Sequence, residues 1–134
     1  MNAKTITICG KDVELLYCAA TETGYESISG QSCEIFIPEI SKDEQGKDQI
    51  RMRATTRDYI QLAVAAVIAA YTRKGEEAPV TADDILYAAT SKEVTTLITT
   101  VIELRNAWYQ VPSVVKSEDD SQQDQPEEEK QKNS

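Results

Sequence analysis

Hydrophobic and polar positions change period along this chain, and the changes mark its elements. Residues 4–17, KTITICGKDVELLY, alternate on both sides of a glycine. Gly10 and Lys11 read as a two-residue hairpin turn with glycine first, as a type II′ turn prefers. That turn predicts Ile8 opposite Val13, Ile6 opposite Leu15 and Lys4 opposite Tyr17, with Cys9 opposite Asp12 and Cys18 near Ala3. One face collects Ile6, Ile8, Val13, Leu15 and Tyr17, and the other receives Thr5, Thr7, Glu14 and Leu16. A lone hairpin is marginal in water, so the apolar face must rest on helices.

Next comes AATETGYESISGQS. Thr23 and Glu26 have capping-box spacing, and Gly30 stands where a helix would end in the left-handed conformation. Gly24 inside such a helix costs about 1 kcal/mol, which predicts a short or late-starting helix with Tyr25 and Ile28 buried. Ile35, Phe36 and Ile37 should pack just after it. Residues 38–53 turn polar and contain Gly46, which reads as a mobile connection with a short alternating strand at 49–53.

Three helices fill the second half. Thr55 caps with Asp58, and a helix runs to Gly75 with Arg73 and Lys74 near its negative end. Ile60, Val64, Val67, Ile68 and Tyr71 form a stripe at helical spacing, but Leu62, Ala63, Ala65, Ala66, Ala69 and Ala70 fill most of the remainder. A helix apolar nearly all round is either central to a fold or shared with a partner. Thr81 and Asp84 open a short helix with Ile85 and Leu86 inward. The last helix starts at Ser91 and stops before Pro112. Its stripe is Val94, Leu97, Val101, Leu104, Trp108 and Val111, widened by Ile98 and Ile102, with threonines opposite. Too short for a coiled coil, it should pack on the preceding long helix.

The expected fold is α+β, mainly α: an N-terminal β-hairpin packed on a small helical bundle. One domain spans residues 1–115. Residues 116–134 hold no Val, Ile, Leu or aromatic residue and carry three Lys against seven Asp and Glu. Such a segment cannot offset its ordering entropy and is expected to be a disordered acidic tail.

Composition narrows the function. A net charge of -9 removes the general attraction to phosphate backbones, so no nucleic-acid partner is expected. The most apolar run, residues 59–71, is too short to cross a bilayer, and the first residues lack the apolar stretch of a signal peptide. With 3 Cys in an odd set and no C-x-x-C spacing, neither a disulfide framework nor a zinc site is expected. The thiols of Cys9, Cys18 and Cys33 read as reduced and partly buried. The 134 residues include no His, which excludes imidazole-based triads and dyads. Asp83 and Asp84 complement a helix dipole, Glu76 and Glu77 are solvated, and the 5 Gly are scattered, without a phosphate-binding motif. No catalytic residue, cofactor or metal ligand is assigned. Trp108 and Tyr109, aromatic types enriched in binding hot spots, are the residues best suited to engage another chain, together with Leu62 and Ala66 on the surplus face of the long helix.

The order of elements resembles the tail assembly chaperones of long-tailed bacteriophages. Those small proteins often begin with a strand pair of the form TITINGKEYEL and a helix ending in YEEITGKS. The matching stretches here are TITICGKDVEL (residues 5–15) and YESISGQS (residues 25–32), with Tyr25, Glu26, Ile28 and Gly30 on the pattern. An Ala- and Leu-rich helix, a "ddi" helix start, a final helix and an acidic tail follow in the same order, so the likeness spans residues 4–110. Ser27 and Ser29 depart from the usual Glu and Thr, Cys9 from the usual Asn or Asp, and Gly24 interrupts the helix. The resemblance implies a non-catalytic protein of the host cytoplasm that binds the tape measure protein, keeps it soluble until the tail assembles, and is absent from the virion. It also implies that a frameshifted, extended form recruits tail tube protein. The surplus apolar surface leaves a homo-oligomer open. The alternatives are a structural tail or head–tail connector component and a helical adaptor protein.

Overall fold

The computed structural model describes residues 2–110; the expected acidic tail, the boundary at 115, and Val111 and Pro112 lie outside them. Strand β1 (Ala3–Ile8) pairs antiparallel with β2 (Lys11–Leu16). The expected register is off by two residues: Ile6 faces Val13, Lys4 faces Leu15, and Asp12 faces Thr7 rather than Cys9. Cys9 and Gly10 form the turn, with φ of 53° and 75°. Positive φ at both central residues is the type I′ requirement, which suits the twist of the strands. Cys9 is held there by its N–H, which donates to Glu93 Oε2 at 3.1 Å. A slip of two preserves parity, so the apolar face survives, with Ile8, Val13, Leu15 and Tyr17 buried.

Helix α1 (Ala19–Ser29) begins a turn earlier than expected. Thr21 organises its start, rather than the Thr23–Glu26 pair: its buried hydroxyl accepts from the Cys18 N–H at 3.1 Å and donates to the Leu16 carbonyl at 2.6 Å. Gly24 therefore falls inside the helix, where a Cβ would stand 3.5 Å from the Ala65 Cβ. Glu26 instead reaches forward and accepts from the Cys33 N–H at 3.0 Å. Gly30 ends the helix at φ 73°, as its position predicts. Tyr25 is buried, but Ile28 is 45% exposed, because α1 meets its neighbours along Thr21 and Tyr25.

After a 3-10 turn (Cys33–Phe36), the expected mobile connection is a second antiparallel hairpin, β3 (Glu39–Lys42) with β4 (Asp48–Arg51). Asp43 builds its loop, with Oδ1 accepting from the N–H groups of Gln45 and Lys47 at 2.9 and 2.8 Å. Arg53 pins the base by donating to the carbonyls of Glu34 and Ile37. Ile40 and Ile50 pair on this arm, and both are largely exposed.

Helix α2 (Thr56–Lys74) is the centre of the fold, with α1, β2, α3 and α4 packed around it. Its Thr55–Asp58 capping box and its Gly75 stop are where the sequence puts them. Ile68, expected in the buried stripe, is 46% exposed. Helix α3 (Ala82–Ala88) starts on Thr81–Asp84 and buries Ile85 while Leu86, expected inward, lies outside. Helix α4 (Ser91–Trp108) buries Leu97, Val101 and Leu104. Thr100, expected on the polar side, is buried too. The fold is α+β, mainly α, as the periodicity predicts.

Candidate partner-binding groove

The residues singled out for partner binding do not converge. Leu62 and Ala66 are fully buried, so they are core residues and not a docking face. The reason is α2's central place: elements on several sides consume apolar surface that looks surplus when the helix is read alone. Trp108 and Tyr109, at the end of α4, remain on the surface. Trp108 tilts against Tyr17 at 6.2 Å between ring centroids. Of the motif residues, Tyr25 is core, Glu26 ties α1 to the 3-10 turn, Gly30 caps a helix and Ile28 is exposed.

A concavity of about 720 Å³ lies beside Tyr109. One wall is the 3-10 turn and the chain leaving it: Cys33, Phe36, Ile37 and Pro38. Met52, just past β4, adds to it, and Tyr59 comes from the first turns of α2. The opposite wall is α4, through Ile102, Arg105, Asn106 and then Tyr109. Ile37 and Met52 are about half exposed at its rim. The groove is mostly apolar, and its walls come from segments 32–38, 52, 59 and 102–109. Of these residues, the sequence pointed only to Tyr109 as a contact. A weak signal for the rest was Ile102, the position that widens the α4 stripe.

The wall is braced at Asp58, which is buried. Its Oδ2 accepts from the Thr55 N–H and hydroxyl at 2.8 and 2.9 Å. Oδ1 accepts from the Tyr25 hydroxyl and the Gln31 amide, both at 3.1 Å. Burial opposes the charge, but these four donors outweigh it and hold the carboxyl below its usual range. Tyr25 in turn stacks edge-on against Phe36 at 4.9 Å, and Phe36 lies 5.1 Å from Tyr59. A chain of contacts thus runs from the α2 cap to the groove lining.

The other end is polar. Glu22 Oε2 accepts from the hydroxyls of Tyr17 and Tyr109 at 2.8 and 2.6 Å. The bond to Glu22, then burial, pushes the Tyr109 phenol up to about 12, and burial with Glu22 raises Tyr17 further. Burial, reinforced by Glu22 and Glu26, pushes the Cys33 thiol up to about 12, which suppresses the thiolate that nucleophilic or metal-binding chemistry needs. Arg105 lies with its guanidinium 4.8 Å from the Tyr109 ring centroid. What the groove offers a ligand is mostly apolar area, with one cation from Arg105 and one carboxylate from Glu34.

Cys9, Cys18 and Cys33 are free thiols of intermediate burial. Among the described residues, no group of three or more His, Cys, Asp or Glu is placed to hold a metal ion, and no helix is long and apolar enough to cross a membrane. No family model, curated protein or solved structure matches the chain.

Proposed function

We propose that this chain is a tail assembly chaperone of a long-tailed bacteriophage, a non-catalytic protein that binds the tape measure protein and keeps it soluble during tail morphogenesis. The observation that carries the reading is the apolar groove between the 3-10 turn, Met52, Tyr59 and α4. An amphipathic client helix lays its apolar face into such a groove, with anchors one helical turn apart. Many copies along one client make weak single contacts collectively strong. The charge of -9 opposes collapse of the coated complex on itself. On this reading the protein acts in the host cytoplasm, is absent from the finished virion, and engages tail tube protein through an extended form.

Co-expression with the tape measure protein tests the proposal. The client is expected in the soluble fraction with the wild-type chain and in the pellet without it. Ile102→Asp, which puts a charge in the half-buried groove wall, should return the client to the pellet while the variant itself stays folded. Equal solubility of the client with and without the chain overturns the proposal.

A further inference from the structure

The groove holds one cation, Arg105, which rests against the Tyr109 ring and meets no carboxylate among the described residues. Arg105 projects from the last turns of α4, and its Nε is buried without a hydrogen-bond partner among the described residues. Nor does Arg105 join any ion pair among them. The carboxylates at that end are engaged elsewhere or stand apart. Glu22 Oε2 serves Tyr17 and Tyr109, and Glu26 Oε2 serves the Cys33 N–H. Glu34 lines the same groove and does not pair with Arg105. The Nε is closed to solvent and so to an incoming ligand as well, which leaves the outer nitrogens of the guanidinium to face an occupant of the groove. Phe36, Tyr59, Ile102 and the Tyr109 ring make an apolar frame around a fixed, always-charged guanidinium whose fork geometry matches a carboxylate.

Resting on the groove reading above, we infer that the occupant is an apolar helical segment carrying one Asp or Glu on the face it buries, and that this carboxylate accepts from Arg105. Apolar contacts alone allow a helix to slide by a turn; a single charge pair in a desolvated groove fixes register and rejects helices that lack the acid. The acidic character of the rest of the chain sharpens the selection, since an acid placed elsewhere on the client meets like charge.

The test uses the full chain and two labelled amphipathic Leu/Ala peptides of about 18 residues, five helical turns. They differ at one position of the apolar face, Glu in one and Gln in the other, and binding is read by fluorescence anisotropy. The Glu peptide should bind about tenfold or more tightly than the Gln peptide, the range for a charge-assisted bond. Arg105→Gln should bring the ratio near one, and Arg105→Lys should restore part of it. Melting curves of both variants check that they fold; if Arg105→Gln does not, the wild-type ratio and the Lys variant decide. Equal binding of both peptides by the wild-type chain overturns the carboxylate inference and leaves the groove reading standing. Binding of neither peptide, or binding undiminished by Ile102→Asp, overturns the groove reading as well. A dimer that Ile102→Asp dissolves, in a chain that takes neither peptide, identifies a second copy as the occupant and overturns the inference.

Discussion

Replacing Asp58 by Ala should be among the most damaging single changes outside the apolar core. Three consequences follow from its contacts. The α2 capping box loses its carboxylate, which costs about 1 kcal/mol. The Gln31 amide loses an acceptor at the α1 exit. The Tyr25 hydroxyl, on a fully buried ring, is left without its charged partner, at about 1–3 kcal/mol. The sum is about 2–4 kcal/mol, a large share of the roughly 5–15 kcal/mol that holds a small domain together. Urea unfolding of wild type, Asp58→Ala, Tyr25→Phe and the double variant isolates the pair. Tyr25→Phe alone should cost about 1 kcal/mol, and it removes the group that Asp58→Ala strands. The double variant should therefore be more stable than the two single costs predict, by about 1–2 kcal/mol of coupling. Additive costs, with coupling below about 0.5 kcal/mol, would refute the view that this bond joins α1 to the start of α2.

Gly24→Ala should stabilise the chain by up to about 1 kcal/mol, because helix propensity rises and the new Cβ meets Ala65 at an ordinary contact distance of 3.5 Å; a lower urea midpoint would mean that α1 and α2 cannot absorb it. In a Cys9→Ser, Cys18→Ser background, a thiol reagent at neutral pH should modify Cys33 at least about a hundredfold more slowly in the folded chain than in the urea-unfolded one, since its thiol is pushed up to about 12; equal rates would contradict that. For Asp58 the folded carboxyl titrates below its unfolded value of about 3.9, so its contribution is full above that pH and is lost as pH falls through the depressed value. Acid unfolding of Asp58→Asn should accordingly be shallower below about pH 4, and an unchanged profile there would show that the carboxylate contributes nothing.

Features set by near neighbours along the chain were legible in the sequence alone. The Thr55–Asp58 and Thr81–Asp84 boxes and the Gly30 and Gly75 stops depend on residues three or four apart, and each lies where the spacing puts it. The first hairpin was legible in parity but not in register. Two overlapping turns, Cys9–Gly10 and Gly10–Lys11, give the same faces, and the choice between them rests on Glu93, far along the chain. The start of α1 was hidden because Cys18 is not a usual cap residue and Thr21 works through the Leu16 carbonyl. The second hairpin carries only Ile40 and Ile50 among charges, too little apolar pattern to stand out, although Asp43 and Gly46 were its turn signal. Leu62 and Ala66 were misplaced because a helix apolar all round cannot, by itself, say which neighbours cover it. The groove was invisible for a related reason: its walls come from four separated segments that only the packing around α2 brings together.

On the proposed function, the groove beside Arg105 receives the client. Site-specific photo-crosslinking during co-expression with the tape measure protein tests it most directly. A benzophenone amino acid replaces Ile102 in the groove wall or, as a control, Tyr87 on α3, which is 87% exposed and away from the lining. A crosslinked client is expected from position 102 and little or none from position 87. A client captured equally from both positions, or from 87 alone, would contradict it.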